Sequence, residues 1–170
     1  MVNEVLVGSG FCLIYYLYDN ESKEPIRCST YLDQILSDGN KQDADWVMSL
    51  LEAALNQLIH DLPFINSVTL QSDNDGCYEN HFIMVAISIL NEIYHRDIFI
   101  SAFVHTETQD GKTLLDAYFT RCTLFLSHFM KTWKRNKITQ INTPRGLRDA
   151  LAWNGSMCNV MVQVVRTDKP

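Results

Sequence analysis

Two stretches of strand-like sequence, "FINSVTLQS" (64–72) and "RDIFISAFVH" (96–105), flank "HFIMVAISILNEIY" (81–94). The middle run is nearly all apolar and too long for a strand, so a mostly buried helix suits it better. Two strands joined through a helix suit a parallel pair, because a tight turn cannot close one. This unit restricts the fold more than any other feature of the chain. Upstream, "FCLIYYLYD" (11–19) and "IRCSTYLDQIL" (26–36) read as an antiparallel hairpin with a loop around 19–25. From Asp43 to Leu62 the apolar residues recur every three or four positions. Asp43 is placed to cap a helix, and Pro63 ends it. Downstream, 114–133 has the spacing of a long amphipathic helix and 145–153 that of a short one. "NVMVQVV" (159–165) has strand composition but no evident place. The expected fold is α/β, a mixed sheet flanked by helices, in a single domain over 1–170 with its core at about 11–153 and an extension at 154–170.

A hydrophobic share of 46% and a charged share of 20% belong to a globular chain, not a disordered one. No apolar run is long enough for a bilayer, so no membrane partner is expected. "MVNEVLVGSGF" lacks the basic start and apolar stretch of a signal peptide. The five cysteines form no CxxC pair, and their odd number rules out complete internal pairing. They read as reduced thiols of an intracellular protein, with no zinc site. Residues 1–111 hold four Lys/Arg against seventeen Asp/Glu, whereas residues 112–170 hold ten against three. An acidic front and a basic tail can attract each other, or the tail can meet nucleic acid through one face.

Sites in α/β sheets lie beyond the carboxyl ends of the strands. Asp73, in "LQSDNDGCYEN", falls at one such end. "VHTETQDG" should bring His105, Glu107 and Asp110 to the same edge, with Asp116 in the first turn of the long helix, where the helix dipole favours a carboxylate. Converging carboxylates repel unless a cation neutralises them, and Mg²⁺ is the usual cation for oxygen ligands that keep water. Two such ions about 3.5–4 Å apart clamp a phosphodiester and activate water or a 3′-hydroxyl. The bland alternative is that Asp73, Asp75 and Glu79 solvate a turn.

The order of these elements, with "LQSDN" at 70–74 and "TQDGKTLLDA" at 108–117, resembles the RNase H-like fold of retroviral integrases and transposases. "HTETQDGKTLLDAYF" is similar to a motif of transposase-derived reading frames dispersed in eukaryotic genomes. The resemblance covers roughly residues 11–153 and implies an RNase H-like mixed sheet. It also implies ancestral Mg²⁺- or Mn²⁺-dependent DNA cleavage and strand transfer, with DNA as partner and the nucleus as place of work. Asp73 matches the family's second acid. Asp116, 43 positions on, matches the third, with Asp110, 37 positions on, and Glu107 as alternatives. Lys112 is placed to contact a phosphate and His105 to orient a ligand.

The family's first acid lies inside a first strand that this sequence does not evidently contain, so an N-terminally truncated or substituted site is expected. Asp19 and Glu4 are the alternatives for that acid. A two-metal site without its shared carboxylate should bind metal weakly and be inactive. The expectation is therefore a degenerate remnant with residual DNA affinity. An active nuclease using Asp19 or Glu4 with Asp73 and Asp116 is one alternative, and a protein-interaction module with an acidic front is another. A sheet lacking its first strand would expose an edge to another chain, so a homo-oligomer is a further expectation.

"KTWKRNK" (131–137) gathers Lys131, Lys134, Arg135 and Lys137 around Trp133, as a phosphate backbone and an unpaired base require. A solvated helix end explains the same cluster. Tyr15, Tyr16 and Tyr18 are expected to pack a sheet. His60, His81, His95 and His128 show no ligand spacing, and Cys77 has no basic partner to activate it.

Overall fold

The structure, a computed structural model, describes residues 8–36, 43–73, 81–94, 96–106, 112–133, 141, 143–153 and 159–166. The chain is mixed α/β. Its described elements run β1 (Gly8–Tyr18), β2 (Pro25–Leu36), α1 (Ala44–Asp61), β3 (Ser67–Asp73), α2 (His81–Ile93), β4 (Phe99–Thr106), α3 (Lys112–Trp133), α4 (Pro144–Leu151) and β5 (Val160–Val165). They gather into two compact units, one of Met1–Ser37 with Leu114–Val164, the other of Asp38–Thr113 with Val165–Pro170. The described strands form two sheets where one mixed sheet was expected: β1-β2-β5 and β3-β4.

In the first unit, β1 and β2 form the expected antiparallel hairpin, in register from Gly8 opposite Ile35 to Tyr18 opposite Pro25. The turn closes through Lys23 N–H to the Asp19 carbonyl at 2.9 Å and Asp19 N–H to the Glu24 carbonyl at 3.1 Å. Lys23 takes φ of 57°, the left-handed conformation that a tight turn demands. β2 is the middle strand, and Leu32 to Leu36 are buried without alternation. Its other neighbour is β5, the segment whose place the sequence left open. Tyr31 N–H donates to the Asn159 carbonyl at 2.8 Å, and Gln34 Nε2 donates to Gln163 Oε1 at 3.1 Å. A core of Ile35, Tyr118, Cys122 and Leu151 joins β2, α3 and α4, with Leu126, Leu147 and Val162 packed around it. Thr143 caps α4 by accepting the Gly146 N–H at 3.0 Å, and Pro144 occupies the first turn. Tyr16 and Tyr18 do not pack as expected. They are 63% and 75% exposed, because β1 is an edge strand and they lie near its end.

In the second unit, Asp43 caps α1 by accepting the Trp46 N–H at 3.0 Å, and the helix ends just before Pro63, as the spacing predicts. Trp46, Leu50, Leu51 and Leu55 of α1 are buried, as are Ile83, Ala86, Ile87 and Leu90 of α2 and Val68, Ile98 and Ile100 on and beside the strands. β3 and β4 are parallel, as the crossover requires. Val68 opposes Ile100 but Thr69 opposes Ala102, so Ser101 is an extra residue in β4. Its hydroxyl donates to the Val68 carbonyl at 3.0 Å and lies 3.1 Å from Thr69 Oγ1, replacing the lost ladder bond. Beside it, the Asn91 side chain of α2 acts as a one-residue strand. Asn91 Oδ1 accepts Ile100 N–H at 2.7 Å, and Asn91 Nδ2 donates to the Ile100 carbonyl at 2.9 Å.

The expectation that α2 is mostly buried holds on one face only. Phe82, Met84, Val85, Ile89 and Ile93 are each more than half exposed, because the described elements of its unit cover a single side.

Asn91→Ala strips both partners from a buried backbone residue, where an unmet polar group costs about 1–3 kcal/mol. Denaturant unfolding should show a loss of that size, whereas the neighbouring Glu92→Ala, at an exposed position, should change little.

Candidate functional site

The parallel register sets Ser72 opposite His105 and Asp73 opposite Thr106, at the carboxyl ends of β3 and β4. Asp73 and His105 therefore share the sheet edge at which the sequence placed them. Ser72 Oγ and His105 Nδ1 are hydrogen-bonded at 3.0 Å, and the His105 ring leans on Phe103 with centroids 4.6 Å apart. The bond engages Nδ1, and donor and acceptor in it are set by the ring's tautomer. Ser72 was not foreseen as a site residue, although it stands beside Asp73 in the quoted motif. Only the parallel register reveals its partner.

The remaining acids are dispersed among other elements. Asp116 lies on α3, the long helix where the motif puts it, and is exposed. It is not in the first turn: α3 begins at Lys112 and its first turn holds no acid, so the dipole argument does not apply to it. Asp116 belongs to the first compact unit and Asp73 to the second. Asp19 closes the hairpin turn. Its Oδ1 accepts the Glu21 N–H at 3.1 Å and its Oδ2 the Ser22 N–H at 3.2 Å. Hydrogen bonds from the Ser22 side chain, then from the Glu21 and Ser22 backbone, hold its carboxyl below the usual aspartate value. Glu4, Glu107, Asp110, Asp75, Glu79, Cys77, His95, Lys134, Arg135 and Lys137 lie outside the described residues. Lys112 opens α3, and Lys131 is exposed in its last turn. Among the described residues, no three His, Cys, Asp or Glu side chains stand together as a metal ion requires.

A second polar cluster went unnoticed in the sequence. Asp33 is 6% exposed on β2, the middle strand, where Tyr118 Oη donates to its Oδ2 and Cys122 Sγ lies 3.9 Å from the same oxygen. Tyr118 and Cys122 are four apart on α3 and so share a face. The Tyr118 ring stacks on Tyr31 with centroids 4.1 Å apart and planes 5° from parallel. Gly10, opposite Asp33, leaves room for the ring of Phe119, the residue after Tyr118: a Cβ there would come within 2.8 Å of it. Burial pushes the Asp33 carboxyl up, against the lowering effect of the Tyr118 and Cys122 hydrogen bonds. Burial, then the bond to Asp33, raises the Tyr118 hydroxyl. The available signal was a single acid inside the apolar strand "TYLDQIL".

Comparison with family models, with curated proteins and with solved structures finds no match for this chain. No helix among the described residues is long and apolar enough to cross a membrane.

Folded Asp33 holds its proton above the ordinary value of 3.8. Its contribution to stability is therefore complete below that pH and is lost as pH rises through the raised folded value. Asp33→Asn keeps an acceptor for Tyr118 and cannot ionise. Urea unfolding of both proteins from roughly pH 3 to 8 should show the variant gaining on the wild type as pH rises. A pH-independent difference would show that Asp33 titrates alike folded and unfolded.

Proposed function

We propose that this chain derives from a transposase or integrase of RNase H-like ancestry and acts as a DNA-binding remnant without strand-cutting activity. The observation that carries the reading is the parallel β3–β4 pair. It brings Asp73 to the carboxyl edge beside the Ser72–His105 bond, with the Asp116-bearing helix next in order. In an intact site of this class, bound Mg²⁺ or Mn²⁺ would polarise the phosphodiester and the attacking oxygen.

One feature supports the degenerate half of the proposal: Asp19, one alternative for the first acid, has both carboxylate oxygens engaged in its own turn. The DNA half rests on charge. Arg121 and Lys131 of α3 and Arg145 and Arg148 of α4 are exposed, and all belong to the first unit. Residues 112–170 as a whole hold ten Lys/Arg against three Asp/Glu. Such a surface meets the phosphate backbone with release of counterions.

Fluorescence anisotropy with a labelled duplex should give a Kd that weakens steeply with salt. The double variant Lys134→Ala/Arg135→Ala should bind less tightly and flatten the log–log salt slope by about 2. Purified wild type with Mg²⁺ or Mn²⁺ should leave the duplex intact. Cleavage that Asp73→Asn abolishes would replace this reading with an active nuclease, and no binding at low salt would end the nucleic-acid role.

A further inference from the structure

α1 and α2 enclose an open groove of about 350 Å³ within the second unit. One wall, from α1, carries Asp45 and Glu52, seven positions apart and hence on the same face two turns along. Met48 lies between them, and Phe82 and Ile89 of α2 form the apolar side. The apolar surface continues past the groove. Phe82, Val85, Ile89 and Ile93 follow the helical period along one stripe of α2, and each is between 53% and 61% exposed. From Phe82 to Ile93 is eleven steps of helix, which make that stripe about 16 Å long, or three turns. Ile83, Ala86, Ile87 and Leu90 occupy the adjoining buried face, so the stripe is surplus to the core of its unit.

The charged side chains of the two helices themselves are acidic, histidine apart. Neither α1, "ADWVMSLLEAALNQLIHD", nor α2, "HFIMVAISILNEI", contains a lysine or an arginine. Two carboxylates bordering an apolar channel therefore have no cation on either helix that forms it. Tyr94 Oη donates to Glu52 Oε1 at 3.3 Å, which directs that carboxylate without neutralising it. Phosphates of DNA or of an anionic lipid surface would be repelled here.

We infer that the α1–α2 groove docks a basic amphipathic helix of a partner protein. Apolar side chains of the incoming helix pack along Phe82, Val85, Ile89 and Ile93. Lysines or arginines seven positions apart face Asp45 and Glu52. A channel between two helices takes a third helix by the same packing of ridges into grooves that joins the first two. The inference stands apart from DNA binding, which uses the basic elements of the first unit.

The test uses the full chain and a fluorescein-labelled Leu/Lys amphipathic peptide of about five helical turns, with cations seven positions apart. Its counterpart carries Glu in place of Lys. Anisotropy should show the Lys peptide binding and the Glu peptide not. Glu52→Lys and Ile89→Asp, both at exposed positions, should each weaken binding at least tenfold. Asp61→Lys makes the same charge change on the opposite face of α1 and should leave binding within twofold. Equal weakening by Asp61→Lys would reduce the effect to bulk charge, and equal binding of the Glu peptide would reduce it to apolar adhesion. Either result overturns the inference. So does sedimentation showing a wild-type dimer that Ile89→Asp dissolves and the peptide cannot displace, which would make a second copy the occupant. Ile89→Asp should still bind duplex DNA as wild type does, so failure of this inference and failure of the DNA reading remain distinguishable.

Discussion

A parallel strand pair cannot be closed by a turn, and the second unit of this protein follows from that restriction. β3 and β4 lie side by side only because α2 carries the chain back across them. The helix must then be held at one height over the strands. Asn91 does this by donating to and accepting from the backbone of Ile100, at the position where Ser101 interrupts the ladder. The carboxamide makes the bonds that a neighbouring strand would make there and blunts that part of the sheet edge. Two consequences reach the surface. The strand ends bring Ser72, Asp73 and His105 together, and the helix is left with one apolar stripe over the core and an adjoining one that remains exposed.

The first unit is organised around a different constraint. Placing Asp33 inside β2 forces a carboxyl into an apolar core, and a buried polar group is tolerated only when it is bonded. Tyr118 and Cys122 meet it from α3, Tyr31 stacks on Tyr118, and Gly10 on the neighbouring strand leaves room for Phe119 beside them. One acid thus ties the hairpin to the long helix. The same helix carries Asp116, Arg121 and Lys131 at exposed positions, while Tyr118 and Cys122 face the core.

The two units also differ in charge. The basic residues of α3 and α4 are those proposed to meet DNA, and α1 and α2, with no lysine or arginine, form the groove proposed for a cationic helix. Neither proposed role requires an assembled carboxylate trio.

Much of this was legible in the chain because it depends on short-range periodicity. The capping of α1 by Asp43, its end before Pro63, the hairpin around 19–25 and the parallel β3–β4 pair all follow from local pattern. Asp73 at a strand end follows too, since strand order alone puts it there. Side-chain partners between distant segments did not follow: Ser72 with His105, Asp33 with Tyr118, Asn91 with Ile100. Nor did the pairing of β5 with β2, whose residues are more than a hundred positions apart. The same limit applied to burial. An apolar run such as α2 states that a helix is favoured but not how many of its faces find a neighbour. That number is set by the elements packed around it, so only the tertiary structure could separate the stripe of α2 that makes the core from the stripe that remains exposed.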